Sequence, residues 1–253
     1  MTMAPLCEHL EWDTEFFGVR IGRVVPQTLS AEELKEVLAW VSNERIDCLY
    51  FLCDATEIRA SALVQQSGFL LTDVRLTLET VVKPLTEPRA SGGGGIRMAT
   101  SADVDALKVI ASKSYVMTRF YADPHFSPEQ CAALYQTWIE KSCAGFADAV
   151  LVASAPNGEV VGYVTCHAPE KSQGHIGLVA VAPQARREGW SRSLLGAALD
   201  WCAGRGCGKI TVVTQGGNVD AQCLYQRFGF VTRRVQFWFH YWPGRLHAGG
   251  IIR

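Results

Sequence analysis

The sequence predicts an α/β fold with a mixed sheet, built in two unequal parts. Three observations carry this. Strand and helix signatures alternate along most of the 253 residues. Lys83-Pro-Leu-Thr-Glu-Pro-Arg-Ala-Ser-Gly-Gly-Gly-Gly95 breaks the alternation with two prolines and four glycines, which continue neither a helix nor a central strand. Finally, Leu63-Val-Gln-Gln-Ser-Gly-Phe69 is echoed by Leu224-Tyr-Gln-Arg-Phe-Gly-Phe230 at an offset of 161, inside longer strand–helix–strand stretches, Leu49 to Thr77 and Ile210 to Trp238. The expected division is residues 1–83, a linker over 84–95, and residues 96–253. If the two stretches are related, Tyr225 stands where the first has Val64.

Each element has a local reason. Val19 to Val25 alternates as a strand and stops at Pro26. Ser30 with Glu33 forms a capping box that starts a helix, whose Leu34, Val37, Leu38 and Val41 fall on one face. Cys48 to Leu52 is an apolar strand, Ile58 to Ser67 a helix, Leu76 to Val82 a strand. Beyond the linker, Ile96 to Met98 is a strand, Thr100 to Asp103 opens a helix, and Pro128 to Lys141 is a second helix. Asn157-Gly158 joins Ala149 to Ser154 and Val160 to His167 as a hairpin, because that dipeptide accepts the positive backbone angles of a tight turn. His175 to Val181 is an almost wholly apolar strand ended by Pro183. Ser191 to Ala203 is a helix, Ile210 to Thr214 a strand, Val219 to Phe228 a helix, and Val231 to Trp242 a long last strand. Pro243 to Arg253 is either a tail or a homodimer contact.

Composition excludes several classes. Lys and Arg number 24 against 25 Asp and Glu, a net charge of −1, and there is no basic run, so a general nucleic-acid or anionic-membrane binder is not expected. A hydrophobic share of 48% with 19% charged residues excludes wholesale disorder. No stretch approaches the roughly 18 apolar residues that span a bilayer. The first residues are acidic where a signal peptide needs a basic end. The nine cysteines are odd in number and contain no Cys-x-x-Cys, so a reduced, cytoplasmic protein without a cysteine metal site is expected. No Asp, Glu or His spacing suggests a metal either.

The segment richest in chemistry is Leu178-Val-Ala-Val-Ala-Pro-Gln-Ala-Arg-Arg-Glu-Gly-Trp-Ser-Arg-Ser-Leu-Leu195. An apolar strand ends at a proline, and a turn with two arginines and a glycine opens a helix. Such a turn suits a pyrophosphate: unpaired amides point outward, the helix dipole is positive there, and glycine permits close approach. Neither the Gly-x-Gly-x-x-Gly nor the Gly-Lys-Ser/Thr spacing is present.

At this point the chain resembles the GCN5-related N-acetyltransferase (GNAT) superfamily, whose hallmark Gln/Arg-x-x-Gly-x-Gly/Ala reads here Arg186-Arg-Glu-Gly189-Trp-Ser191, with serine in the last position. A second hallmark, Asn-x-x-Ala-x-x-x-Tyr-x-x-x-Gly-Phe, is present without departure as Asn218, Ala221, Tyr225, Gly229 and Phe230. Together they cover roughly Ile96 to Trp242. The resemblance implies a GNAT fold with a partial GNAT-like domain in front, and an acyl-CoA donor, acetyl-CoA or a larger one, with no metal. It implies that Arg186, Arg187, Gly189, Trp190 and Ser191 hold the pyrophosphate, that Val179 and Val181 pair with the pantetheine and donate to the thioester oxygen, that Asn218 contacts the pantetheine, and that Tyr225 protonates the departing thiolate. The competing reading makes the arginines solvated helix-start charges and Tyr225 core.

The whole chain further resembles the GNAT-fold N-acyltransferases of dTDP-linked amino sugars, the dTDP-fucosamine acetyltransferases among them. The carrying residues are Leu10-Glu-Trp-Asp-Thr-Glu-Phe-Phe-Gly18, Arg119-Phe120, Gln136-Thr-Trp-Ile-Glu140 and Gln215-Gly-Gly-Asn218. This implies a dTDP-amino sugar as acceptor, with the N-terminal part forming one wall of its site. Asp73 stands where those enzymes carry a carboxylate that acts as base or orients the sugar; the alternative is an exposed loop aspartate. His167 and His175 flank the strand that faces the acyl group, as proton carriers or as structural histidines. Phe17, Arg119 and Tyr121 are candidates for thymine stacking and phosphate contact, with core or surface roles as the alternatives. Cys166 adjoins His167, but neighbours in a strand point to opposite faces, so direct transfer is expected over a cysteine acyl-enzyme. Two other functions stay open: a GNAT enzyme acting on a protein, peptide or small amine, and a CoA-binding module without turnover.

Overall fold

A computed structural model describes residues 5–82, 95–170 and 172–244. Most of the expected linker and all but two residues of the expected tail lie outside the described residues. In chain order the elements are β1 (Cys7–His9), α1 (Glu11–Phe17), β2 (Ile21–Val24), α2 (Ala31–Asn43), β3 (Cys48–Asp54), α3 (Ile58–Gln66), β4 (Leu70–Val81), β5 (Gly95–Met98), α4 (Val104–Ser114), α5 (Arg119–Ala122), α6 (Pro128–Lys141), β6 (Ala149–Ser154), β7 (Val160–Glu170), β8 (Gln173–Val181), α7 (Trp190–Gly204), β9 (Lys209–Gln215), α8 (Val219–Arg227) and β10 (Val231–Tyr241). The expected α/β class with a mixed sheet is present.

Capping chemistry starts α2 and α6 where the sequence places helices. The Ser30 side chain accepts from the Glu33 amide and Glu33 reaches back to the Ser30 amide; Ser127 and Gln130 do the same for α6. Two elements, β1 and α1, lie outside those expected from the sequence. Strand β1 is three residues long, and the seven-residue α1 begins at Leu10 without a side-chain cap. It is supported by stacking of Trp12 on Phe16 (5.2 Å) and by the Thr14 hydroxyl, which accepts from the Ile21 amide at 3.0 Å.

The described chain divides into two compact units. The first takes residues 5–75, 122–126 and 235–244; the second takes the described residues of 76–121 and 127–234. This boundary falls inside β4, not at the proline–glycine stretch, because a strand joins the unit in which its hydrogen bonds lie, whatever its place in the chain. In the first unit the strand order is β1-β2-β3-β10-β4, with β2 parallel to β3 and β10 antiparallel to it (Gln236 opposite Asp54, His240 opposite Tyr50). Its core gathers Leu34, Val37 and Val41 of α2, Val64 of α3, and Leu49, Phe51 and Phe239 of the sheet.

Asp123 is the polar centre of that unit. It is wholly buried and accepts four hydrogen bonds: from His240 Nδ1 (2.6 Å), Trp242 Nε1 (2.9 Å), and the ring and amide of His125 (2.8 and 3.0 Å). Burial alone would raise its pKa, but the His240 bond and charge, with the other donors, hold it well below the usual carboxylate range. Cys48, Asp123 and His240 place ligand atoms within 4.8 Å of one another, a grouping that the sequence spacing did not reveal. With both carboxylate oxygens already accepting from ring donors, the chemistry of the set is that of a hydrogen-bond hub.

The second unit orders its strands β4-β9-β8-β7-β6-β5, and β8 is antiparallel to β7 and parallel to β9. Helices cover both faces. A side chain at Gly162 would meet Leu194 of α7, whereas its neighbour Tyr163 turns to the other face and bonds Tyr115, just after α4.

The repeat seen in the sequence holds element by element. Shifted by 161, β3 and α3 coincide with the bounds of β9 and α8, and β4 with β10 to within one residue. Both helices end in the same way: Gly68 and Gly229 have φ of 89° and 80°, and the Phe69 and Phe230 amides donate to Val64 and Tyr225 carbonyls at 3.0 and 3.1 Å.

Asp123→Ala should cost about 3–5 kcal/mol, because it strands buried ring donors; the shift of the urea midpoint at pH 7 measures it. The depressed carboxylate contributes fully above about pH 4, the unfolded value, and its contribution is lost as pH falls toward the folded value. The midpoints of wild type and variant should therefore converge in acid.

Candidate functional site

Strand β8 changes partners along its length. Gln173 to Ile176 pair with Lys209 to Val212 of β9, and that pairing goes no further. On the other side, Val164 opposes Val179 while Cys166 opposes Ile176, so Gly177 and Leu178 together face Thr165. This is a β-bulge, two residues against one, which bends the strand and increases its twist. The buried Thr165 hydroxyl holds it by accepting the Leu178 amide at 2.8 Å. A Cβ at Gly177 would lie 2.6 Å from that oxygen, so the tight approach requires glycine.

Backbone direction follows from the bulge. The amides of Leu178 and Ala182 point toward β7, the second donating to the Val161 carbonyl at 2.8 Å. By alternation, Val179 and Val181 turn their amides and carbonyls to the side where β9 has stopped pairing. The result is a strand edge inside a sheet, open from Gly177 onward, on which an extended chain could pair. Arg186 Nε reaches the Val181 carbonyl at 3.4 Å.

The turn after β8 prepares the start of α7. Arg187 has φ of 67° and Gly189 of 90°; the glycine meets nothing within 4 Å on its Cβ side. Among the backbone bonds of the described residues, the amides from Arg187 to Ser191 have no acceptor, while Arg192 and Ser193 donate to Gly189. Five successive amides at the positive end of a 15-residue helix form a concavity for an anion. Trp190 is nearly buried, its Nε1 bonded to Glu188 at 3.0 Å, so it serves the turn as packing.

Past β9, Asn218 caps α8, its Oδ1 accepting the Ala221 amide at 3.2 Å, which leaves its amino group as the outward donor. Gln222 ties the loop by donating to the carbonyls of Gln215 and Gly216 at 3.0 and 2.8 Å. Tyr225, one turn on, is 5% exposed, and desolvation pushes its phenol up to about 12. It packs on Phe230, near a tyrosine cluster in which the Tyr115 hydroxyl donates to that of Tyr163 at 3.1 Å and the Tyr115 ring stacks on Tyr135.

The other singled-out residues fall as follows. His167 is half-buried on β7, with Nε2 2.9 Å from where a Gly177 Cβ would be. Cys166 is fully buried on the opposite face and burial pushes its thiol far up, which removes it as a nucleophile. Arg119 lies over the Phe120 ring at 4.2 Å, and Tyr121, in the same short helix, is half-buried. Asp73, read as a loop residue in one alternative, lies within β4 and is half-buried, because the strand begins six residues earlier than its apolar alternation suggested. Phe17 is 5% exposed and packs on Phe126 at 4.4 Å, a core position in the first unit. None of the nine cysteines is disulfide-bonded. No helix among the described residues is long and apolar enough to cross a membrane.

Comparison with known proteins agrees with this geometry. The Acetyltransferase (GNAT) family profile matches residues 114–230, which contain the bulge, the open edge, the amide turn and Tyr225. The chain is 27% identical over 241 residues to the dTDP-fucosamine acetyltransferase of Escherichia coli O6:H1, covering 95% of this chain and all of that one. It is 26% identical over 205 residues to the spore coat polysaccharide biosynthesis protein SpsD of Bacillus subtilis, covering 80% and 69% of the two chains. A GCN5-related N-acetyltransferase from Sphaerobacter thermophilus has the same fold, with a TM-score of 0.65 at 16% identity, over 94% of this chain and 77% of that one. The chain carries a GNAT acetyltransferase domain and is an acyl-CoA-dependent N-acyltransferase.

Thr165→Val keeps the shape and removes the oxygen that holds the bulge. The Leu178 amide is then left without its partner in a buried setting, so a loss of about 1–3 kcal/mol is expected in chemical denaturation.

Proposed function

We propose that this GNAT-type N-acyltransferase moves an acetyl or short hydroxyacyl group from CoA to the amine of a dTDP-linked amino-deoxy sugar. The observation that carries the donor half is the open edge of β8 lying in line with the amide turn before α7. An extended pantetheine arm pairs with the edge at Val179 and Val181, and the pyrophosphate rests on the amides from Arg187 to Ser191, with Arg186 beside them. The Asn218 amino group is the remaining contact to the arm. What supports the acceptor half is resemblance over nearly the whole chain to a protein named for a dTDP-amino sugar.

The chemistry is direct attack. The neutral amine adds to the thioester carbonyl, the oxygen takes up the electron pair beside the Val179 amide, and the carbon–sulfur bond breaks as the amide forms. The thiolate takes the Tyr225 proton, and the phenolate is restored to phenol by the proton that the nitrogen sheds as the amide forms. A phenol held up to about 12 remains protonated at neutral pH, and becomes a competent donor when a basic thiolate forms against it. Arg119 and Tyr121 serve as acceptor contacts. Phe17, closed in by Phe126, is left to packing.

A thiol-release assay with acetyl-CoA against dTDP-3-amino and dTDP-4-amino-6-deoxyhexoses tests the reading. Turnover of one sugar nucleotide, absent with the free amino sugar, is the expected result. Turnover of peptides or simple amines alone would replace the acceptor and keep the donor. Tyr225→Phe should lower kcat by about 10²- to 10⁴-fold, the range for loss of a general acid, while calorimetry shows acetyl-CoA still bound. An unchanged kcat removes Tyr225 from the mechanism.

A further inference from the structure

One set of titratable groups beside the open edge has no role in the scheme above. His167 of β7 pairs with His175 of β8, and His175 pairs with Thr211 of β9. Directly opposed residues on neighbouring strands project from the same face, so the three side chains form one row across three strands. The two rings are 6.1 Å apart between centroids. His175 Nδ1 lies 3.0 Å from the Thr211 hydroxyl, which donates to the Gly174 carbonyl at 3.4 Å. A hydroxyl whose hydrogen is committed to a carbonyl accepts from Nδ1–H, which fixes the tautomer and leaves proton exchange to Nε2.

The row ends against the bulge. His167 Nε2 leans over Gly177, two residues before Val179, in space that any Cβ would occupy. Two residues of strand span roughly 6–7 Å, a distance that two hydrogen-bonded waters bridge. Among the described residues, the titratable groups that face this imidazole are His175 on β8 and Asp148 just before β6, whose carboxylate accepts from the Ala168 amide at 2.7 Å. Desolvation lowers the pKa of His167, while the Asp148 charge and the Phe146 backbone pull the other way. The ring is accordingly neutral and able to accept a proton near pH 7.

We propose that His167 is the base that takes the proton from the acceptor amine through a short chain of waters, and that His175, fixed by Thr211, passes it to solvent. The inference rests on the direct-attack reading and supplies the group that reading lacks. An amine arriving as ammonium gives one proton to His167, and its nitrogen lone pair then forms the bond to the acyl carbon. The second nitrogen proton, shed as the amide forms, reprotonates the Tyr225 phenolate left by protonation of the thiolate, so the reaction nets one proton to solvent. Gly177 is the residue that admits the base to this position.

Two measurements test it on the full chain. In long-range ¹H–¹⁵N NMR with acetyl-CoA bound, His167 should titrate below the ordinary histidine value of about 6.5, and His175→Gln should move that titration. This requires no acceptor. With the sugar nucleotide that the wild type turns over, His167→Gln should lower kcat about 10²-fold, leave the acetyl-CoA dissociation constant unchanged, and abolish the acid limb of the kcat/KM profile. His167→Asn should lower kcat in the same direction and serves as the second variant should His167→Gln fail to fold. If no sugar nucleotide is turned over, the acceptor class is wrong, and the NMR titration still decides the relay. A His167 titration indifferent to His175→Gln, or an acid limb that survives in His167→Gln, overturns the proposal.

Discussion

The second unit depends on one hydrogen bond, from the Leu178 amide to the Thr165 hydroxyl. A regular ladder would carry β8 straight along β7 and let β9 follow on the other side. By taking the Leu178 amide, Thr165 allows two residues of β8 to oppose one of β7. The bulge lies beside the last residue that pairs with β9, Ile176, and from there the edge is open. Backbone groups without strand partners ordinarily cost free energy when buried; here they stand where a substrate with its own amides and carbonyls could pair. The same bulge needs a glycine, and that glycine admits the His167 ring. One side-chain bond thus sets the edge, its polarity and the groups around it.

The turn before α7 is made by different means. Arg187 accepts a left-handed backbone with φ of 67° although it has a Cβ, and Gly189 follows at 90°. Such conformations are uncommon outside glycine and cost energy. Their effect is to present five amides in sequence before α7 closes its first turn. The two arginines add charge, but direction comes from the backbone, which no side-chain substitution away from the turn can supply.

The segments legible in the sequence were those whose determinants are local. A capping box placed α2, the Asn157-Gly158 turn placed the hairpin, and two spaced motifs placed the amide turn and Tyr225. What was not legible depends on register. The row of His167, His175 and Thr211 exists because three strands pair in one particular offset, and residue spacings of 8 and 36 carry no sign of it. The Asp123 hub joins residues more than 110 positions apart. Helix α1 escaped for a different reason: it is seven residues long, uncapped, and held by aromatic stacking that only the folded chain brings together.

The internal repeat separates what the backbone provides from what one side chain provides. Strand, helix, left-handed glycine and buried phenylalanine occur twice, with matching hydrogen bonds at the helix ends. In the first copy the buried helix position is Val64, which fills the core beside Phe51 and Phe239 and has no polar atom to satisfy. In the second it is Tyr225, whose hydroxyl is carried into an almost closed site and held protonated by the loss of water. Burying a phenol where a valine would pack equally well has a desolvation cost. The two copies thus share an architecture and differ in one buried hydroxyl, and the proposed acid role rests on that single difference.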